Sequence, residues 1–211
     1  MKKLIVGIGG MTNGGKSTLA RSLHQQIPNS CIIAQDAFFK DDSVVPVDSN
    51  GFKQYDMLDA LHMDEMMSEV DSWCRDPESF LALQGLVTGH AAPSGQDKVY
   101  MLIVEGFLIF NYRPLNQLMD KSYVMEIPYD VCKKRRSSRV YTPPDPPGYF
   151  DGHVWPMYLK NRKELESMVT GIVLLDGLKS KEELLASVYD DIIKEIEILS
   201  GTGDVSDVKL N

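Results

Sequence analysis

The chain has 211 residues, of which 43% are hydrophobic, so it is long enough to bury one core and predicts a domain of α/β size. Its formal net charge of −8 argues against binding to nucleic acid or to an anionic membrane, and no apolar stretch approaches the roughly 20 residues of a membrane span. Three widely separated cysteines indicate neither a disulfide framework nor a zinc site, and we expect a soluble protein of the cytoplasm.

The first element is an apolar run at residues 4–8 that breaks into glycines and predicts a buried strand. From Gly10 to Ser17 the sequence matches the phosphate-binding pattern G-x-x-x-x-G-K-[ST]. In such a loop the backbone N–H groups form an anion nest at the positive end of the next helix. The alternative is an ordinary glycine-rich turn, but apolar residues at helical spacing follow it. The loop residues expected at a nucleotide are Gly10, Thr12, Asn13, Gly14, Gly15, Lys16, Ser17 and Thr18.

Within this loop Lys16 would reach the β- and γ-phosphates, and the hydroxyl of Ser17 would bind Mg²⁺. A second apolar run, residues 31–34, predicts another buried strand, and Asp36 follows its carboxyl end. Ligands bind at that edge of open α/β sheets, so Asp36 is a candidate for chemistry, with a turn or helix cap as the alternative. Tyr55 and Asp56 then precede a helical pattern over residues 57–73, which predicts Asp56 as the N-cap.

Residues 76–98 show no clear pattern, and we interpret them as a surface excursion. Residues 100–104 predict the next strand, which ends at Glu105, where P-loop enzymes place a carboxylate that holds or orients the Mg²⁺ shell. Residues 123–127 and 172–175 predict two further strands, and Ser180 with Glu183 begins a last helix as a capping box.

Five short strands that alternate with helices predict an α/β fold: a five-stranded, mostly parallel sheet covered by helices on both faces. We expect one domain over residues 1–199, with a small lid at about residues 130–150. The polar tail, residues 200–211, is expected to be disordered.

Residues 132–141 contain a dense basic run in an otherwise acidic chain. On a continuous helix Arg135 and Arg139 would share one face, and Arg136 would point about 100° away. We interpret the run as a phosphate clamp, since it is short and has no flanking basic tract, rather than as a solvated face or a nucleic-acid patch. The proline-rich residues 142–153 predict a loop, and a helix is expected from about Trp155.

Together the glycine-rich loop, Asp36, Glu105 and the arginines predict phosphoryl transfer from a nucleoside triphosphate. A carboxylate that accepts a proton favours an alcohol as the acceptor, because a monophosphate acceptor is already anionic and needs cationic clamps instead. Aromatic faces and negative charge would suit a flat cationic ring that carries a ribose, and the residues that offer them are Tyr55, Asp56, Tyr141 and Asp145.

Over nearly its whole length the sequence resembles the nicotinamide riboside kinases, which are P-loop enzymes similar to uridine kinases. The stretches that carry the resemblance are residues 7–18, 54–56, 104–107, 135–141 and 143–156. The last of them includes Y-F-D-G-H-V-W-P at residues 149–156 and is distinctive. The resemblance implies ATP- and Mg²⁺-dependent phosphorylation of the ribose 5′-hydroxyl of nicotinamide riboside, giving the mononucleotide that leads to NAD.

The resemblance also implies residue roles. It places Asp36 as the base, Ser17 and Glu105 at Mg²⁺, Asp56 and Arg136 on the ribose hydroxyls, Tyr55 and Tyr141 around the base, and Lys16, Arg135 and Arg139 at the nucleotide phosphates. One departure is Ala37, where the family often has a second acid. Use of nicotinic acid riboside and binding to a protein partner stay open. The alternatives are a uridine-cytidine kinase and a binding protein that uses nucleotide only as a switch.

Overall fold

The computed structural model describes residues 1–86 and 97–202. The strands are β1 (Lys2–Gly10), β2 (Ser30–Ala34), β3 (Val99–Glu105), β4 (Lys121–Glu126) and β5 (Ile172–Asp176). The α-helices are α1 (Lys16–Gln26), α2 (Met63–Arg75), α3 (Pro77–Leu83), α4 (Arg113–Asn116), α5 (Tyr129–Ser137), α6 (Trp155–Met168) and α7 (Lys181–Ser200). A π-helical turn, Phe150–Val154, leads directly into α6. Within the described ranges, no helix combines the length and apolar character needed to cross a membrane.

The five strands form one sheet in the order β2-β3-β1-β4-β5, and every neighbouring pair is parallel. This confirms the predicted α/β sheet. The chain moves from β1 to one side of the sheet and later to the other, so the strand order reverses at β1. The register pairs Ile8 of β1 and Ala34 of β2 with Glu105 of β3, so the glycine-rich loop, the segment after β2 and Glu105 meet at the carboxyl edge.

Hydrophobic layers cover both faces of the sheet, as the alternation of side chains along a strand requires. On one face Leu4, Val6 and Ile8 of β1 belong to a cluster that also contains α1 and α7 residues. On the other face Ile5 belongs to a cluster with the fully buried Trp73 of α2. The capping box of α7 is present as predicted, since Ser180 accepts from the Glu183 backbone and the Glu183 carboxylate accepts from the Ser180 backbone.

The helix predicted from residue 57 begins later, at Met63. Leu58–Ala60 form a 3-10 turn instead, and Leu61 after it is extended, because it forms an antiparallel bridge with Phe39 and the backbone N–H of His62 donates to the carbonyl of Phe38 at 2.8 Å. The N-cap is His62, so the prediction of Asp56 as the N-cap is wrong.

The surface-excursion interpretation of residues 76–98 is wrong for α3. Asp76 caps this helix by accepting from the backbone N–H of Ser79 at 3.1 Å, Pro77 occupies its first turn, and Leu81 is buried in the core. Residues 87–96 of the same stretch lie outside the described residues. Residues 203–211 of the predicted disordered tail also lie outside the described residues. Ser200, the first residue of that predicted tail, is the last residue of α7.

Two boundaries near the basic run also differ from expectation. Helix α5 ends at Ser137, so Arg139 lies beyond the helix and does not share a helical face with Arg135. The predicted loop stops early as well, because its prolines end at Pro147 and the buried Tyr149 and Phe150 begin the π-helical turn.

Candidate active site

A cavity of about 740 Å³ lies at the carboxyl edge of the sheet. It brings together most of the side chains that the sequence predicts for the site, although they come from segments far apart in the chain. The predicted residues that line it are Thr12, Asn13, Gly15, Lys16, Ser17, Thr18, Asp36, Tyr55, Asp56, Arg135, Arg136, Arg139, Tyr141 and Asp145. The other three, Gly10, Gly14 and Glu105, are buried and are not lining residues.

The loop between β1 and α1 turns sharply at two glycines. Gly10 has a φ of 119°, and a Cβ there would lie 2.2 Å from the carbonyl oxygen of Met125, so no larger residue fits. Gly15 has a φ of 104° and forms the N-cap of α1 in the left-handed conformation. This sequence of turns brings the loop to the positive end of α1, as an anion nest requires.

Lys16 is buried at the base of the cavity, where its Nζ donates to the carbonyl oxygen of Met11 at 2.9 Å. Burial lowers the pKa of Lys16, and the nearby carboxylates of Glu105 and Asp36 partly oppose that shift. The amine is therefore held beside the loop with two carboxylates close enough to act on its charge.

Glu105, at the end of β3, is also buried. Burial raises the pKa of Glu105, while the charge of Lys16 and a hydrogen bond from the Ser17 hydroxyl lower it. The hydroxyl and the carboxylate predicted for Mg²⁺ are thus near each other. Hard oxygen ligands of this kind fit Mg²⁺, which proteins usually bind through one or two carboxylates together with substrate phosphates. Residues 1–86 and 97–202 contain no group of three or more His, Cys, Asp or Glu side chains that could hold a metal ion.

Asp36 lies in the 3-10 turn Gln35–Phe38, directly after β2, and its side chain is exposed to the cavity. The turn is fixed by Gln35, which is fully buried and accepts a hydrogen bond from the backbone N–H of Leu108 at 2.8 Å. A Cβ at Gly106 would lie 2.4 Å from the Gln35 side chain, so the turn after β2 packs closely against the turn after β3. This packing fixes the position of Asp36.

One wall of the cavity is aromatic. Phe39 stacks on Phe107 with the ring centres 5.7 Å apart, and it meets Tyr55 edge to face at 5.8 Å. The Tyr55 hydroxyl donates a hydrogen bond to Asp42. Burial, together with that hydrogen bond, raises the pKa of Tyr55 to about 12, so the phenol stays protonated as a donor.

The three arginines have different partners. Arg136 donates two hydrogen bonds to Asp145, and its guanidinium carbon lies 4.4 Å from the centre of the Tyr141 ring. Arg135 donates to the carbonyl oxygens of Asn13 and Gly177, at 3.3 and 3.1 Å. Arg135 therefore connects the phosphate-binding loop to the segment after β5.

Arg139 is exposed, and its Nη1 lies 3.5 Å from the side-chain oxygen of Asn13. The Tyr141 hydroxyl is also within hydrogen-bonding distance of that side chain, with 3.2 Å between the oxygens. Arg139 and Tyr141 thus reach the loop from the segment after α5, on the open side of the cavity.

Comparison with known proteins supplies the family. A family model described as an AAA domain matches residues 6–156. Nicotinamide riboside kinase 1 from Mus musculus is 52% identical over 201 residues, which is 95% of this chain and all of that protein. Nicotinamide riboside kinase 2 from Homo sapiens is 50% identical over 190 residues, 90% of this chain and 81% of that protein. The chain belongs to the nicotinamide riboside kinase family. The family extends to Saccharomyces cerevisiae, whose nicotinamide riboside kinase is 30% identical over 85% of this chain and 86% of its own length.

Several residues that the sequence did not identify also line the cavity of this family member. Phe39 and Lys40 follow Asp36 within four positions, so their closeness in sequence to the predicted base could have identified them. Phe107 stands two residues after Glu105, within a stretch that carries the family resemblance. Nothing in the sequence indicates that Asp42 lines the cavity, because it lies in an acidic segment that is typical of a surface loop.

Proposed function

We propose that this protein transfers the γ-phosphoryl group of ATP to the 5′-hydroxyl of nicotinamide riboside and so makes nicotinamide mononucleotide for NAD biosynthesis. The observation that carries the proposal is that one cavity holds Lys16 of the phosphate-binding loop, the exposed carboxylate of Asp36 and an aromatic wall. Relatives of nearly full length at about 50% identity that are named nicotinamide riboside kinases support the choice of acceptor.

On the donor side, the backbone N–H groups of the loop and the Lys16 ammonium would bind the β- and γ-phosphates. Arg139, which is exposed at the cavity, would add a charge-assisted contact to the same phosphates. Arg135 also lines the cavity and was predicted to contact phosphate. Since its guanidinium already donates to two backbone carbonyls, its larger contribution would be to hold the loop in shape.

On the acceptor side, Asp36 would accept the proton of the 5′-hydroxyl as the new P–O bond forms and the bond between the γ-phosphorus and the β,γ-bridging oxygen breaks. ADP is the leaving group. Asp56 and Arg136 would bind the ribose hydroxyls, while Tyr55 would provide an aromatic face for the nicotinamide ring. Tyr141 would lie on the other side of the nicotinamide ring, and the Arg136 guanidinium lies over the face of the Tyr141 ring.

Ser17 and Glu105 would hold Mg²⁺ together with the phosphates. When bound there, the ion neutralises negative charge that develops on the phosphate oxygens. The residues at about 130–150 would act as the lid, which agrees with the exposed positions of Arg139 and Asp145 at the cavity.

The test is product analysis with the purified protein. After incubation with ATP, Mg²⁺ and nicotinamide riboside, mass spectrometry and phosphorus NMR should identify the 5′-mononucleotide and ADP in equal amounts. Asp36→Asn should lower turnover by about 10²- to 10⁴-fold while nucleotide affinity changes little. Asp59→Asn is the matched control, since Asp59 is exposed and does not line the cavity. Absence of the mononucleotide with the wild-type protein would reject the proposal.

A further inference from the structure

Residues 149–156 carry the most distinctive part of the family resemblance, yet none of them lines the cavity. They form the π-helical turn and the start of α6, and π-helical turns within helices occur frequently at functional sites. The segment therefore needs a role that does not involve direct contact with a ligand in the cavity.

His153, in the middle of this turn, is almost completely buried, with its side chain 2% exposed. Its Nε2 lies 3.2 Å from Oδ2 of Asp56, a carboxylate that lines the cavity. The approach is close but poorly aligned, and across the described residues this nitrogen has no hydrogen-bond partner. A buried polar atom without a partner is costly, and contacts in ligand-free active sites often become aligned only when substrate binds.

The imidazole ring is fixed in place by its neighbours. It stacks on Tyr149 with the ring centres 5.0 Å apart and an interplanar angle of 24°, and the Tyr149 hydroxyl donates to the carbonyl oxygen of Lys53 at 2.6 Å. Asn161 of α6 donates to the backbone carbonyl of Asp56 at 3.0 Å. The π-helical turn and α6 therefore contact Asp56 twice, His153 at the carboxylate and Asn161 at the backbone carbonyl.

The segment that carries Tyr55 and Asp56 packs on the turn with little room to spare. A Cβ at Gly152 would lie 2.5 Å from the ring of Phe52, and that ring meets Tyr149 edge to face at 5.6 Å. A small displacement of the turn would therefore move the segment that presents Asp56 to the cavity.

We propose that His153 is a positioning residue that orients the Asp56 carboxylate toward the ribose hydroxyls of the acceptor, by donating a hydrogen bond from Nε2. The proposal rests on the proposed function, in which Asp56 binds those hydroxyls. Residues 149–156 form the rigid support for this interaction. A residue that only filled space would be replaceable by another aromatic ring, and this difference gives the test.

The test compares His153→Phe, which keeps a ring to stack on Tyr149, with His153→Gln, which keeps a donor group. For each variant, the efficiencies on nicotinamide riboside and on its 2′-deoxy and 3′-deoxy forms are measured at saturating ATP. We expect His153→Phe to raise the KM for the riboside about tenfold and to reduce its advantage over a deoxy form by a similar factor, with the KM for ATP within about twofold. His153→Gln should recover part of the discrimination.

Two controls separate positioning from general damage. His24→Gln alters a partly buried histidine whose Nδ1 lies 2.9 Å from the Ser30 hydroxyl, away from the cavity, and should leave the discrimination unchanged. In the Asp56→Asn background, His153→Phe should cause no further loss of discrimination, because its effect acts through that carboxylate.

If His153→Phe is folded by circular dichroism and discriminates like the wild type, the inference is wrong and His153 is a packing residue. Additive losses in the double variant would also overturn it. Failure of the proposed function is visible separately, as a wild-type protein that does not phosphorylate nicotinamide riboside. In that case the His153 variants are compared on uridine or cytidine and their deoxy forms, since these nucleosides contain the same ribose. A wild-type protein that phosphorylates none of nicotinamide riboside, uridine and cytidine would overturn both the proposed function and the role of His153.

Discussion

Arg136 binds Asp145 through two hydrogen bonds, from Nε at 2.6 Å and from Nη2 at 2.9 Å. The same guanidinium covers the ring of Tyr141, with 4.4 Å from its carbon to the ring centre. The three side chains that the sequence predicts at the acceptor from this part of the chain therefore form one unit. Arg136 is only 11% exposed in this unit, so its charge is well shielded from solvent.

Asp145→Asn should weaken acceptor binding, because the amide removes the charge that holds Arg136 in its orientation. Hydrogen bonds between charged groups contribute about 1.5 to 3 kcal/mol, so we expect the KM for riboside to rise at least about tenfold with a smaller effect on the KM for ATP. Glu78→Gln is the control, because Glu78 forms an exposed ion pair with Lys98 at 3.3 Å and does not line the cavity. Equal kinetics for the two variants would show that the Arg136 pair does not support acceptor binding.

Glu105→Gln should change the pH dependence of stability in a predictable direction. Because burial raises the pKa of Glu105, the folded protein binds its proton more tightly than the unfolded chain does. The contribution of Glu105 to the free energy of unfolding therefore falls as pH rises from about 4.5 through the raised pKa. Glutamine removes this loss, so the variant's stability relative to wild type should increase across that window and then level off.

Urea unfolding of both proteins in EDTA, without nucleotide, from about pH 4 to about pH 8, measures this difference. The same variant should lose Mg²⁺-dependent turnover, since the proposed metal carboxylate is gone. A relative stability that declines with rising pH would contradict the assignment of a raised pKa to Glu105.

Gly152→Ala should disturb the contact between the π-helical turn and Phe52. The new methyl group would lie 2.5 Å from the Phe52 ring, and overpacking of this kind lowers the stability of the fold by about 1 to 3 kcal/mol. The higher helix propensity of alanine would offset part of that loss. We expect a lower melting temperature and a higher KM for riboside. Phe52→Leu in the same background frees space beside the methyl group and should recover the KM. A double variant no better than Gly152→Ala would locate the damage elsewhere.

Recognition of the positively charged nicotinamide ring should depend more on Tyr55 than on Tyr141, because Arg136 already occupies a position over the Tyr141 ring. Tyr55→Leu keeps an apolar wall but removes the π face, which contributes about 0.5 to 2 kcal/mol to binding a cation. The preference for nicotinamide riboside over its neutral reduced form should shrink accordingly, and Tyr55→Phe should largely keep it. The ratio of the two catalytic efficiencies, in wild type, Tyr55→Leu and Tyr141→Leu, measures the effect. A ratio unchanged by Tyr55→Leu would make that tyrosine a packing residue.

The sequence predicts the sheet and the phosphate-binding part of the site because both depend on local patterns. Strands appear as apolar runs, and the loop before α1 has fixed spacing, so Lys16, Asp36 and Glu105 could be placed at one edge from strand ends alone. Helix α3 was missed because it is a short helix in a stretch without a clear pattern, fixed by an aspartate cap and one buried leucine.

The surroundings of Asp56 could not be predicted in the same way. Its position before a helical pattern indicated an N-cap, but the bridge between Phe39 and Leu61 delays the helix and leaves the carboxylate free to line the cavity. His153 lies 97 positions further along the chain, and no spacing rule connects two residues across such a distance. Tertiary packing alone brings them together, which is why no pattern in the sequence indicates this contact.

Whether nicotinamide riboside is the acceptor is tested most directly by a competition between nucleosides. Equal concentrations of nicotinamide riboside, uridine and cytidine are incubated with wild-type protein, ATP and Mg²⁺, and the three monophosphates are quantified at low conversion, which gives the ratio of kcat/KM values. We expect nicotinamide mononucleotide to be the dominant product and its share of the products to fall in Tyr55→Leu. A uridine or cytidine monophosphate formed as fast or faster by the wild type would contradict this expectation.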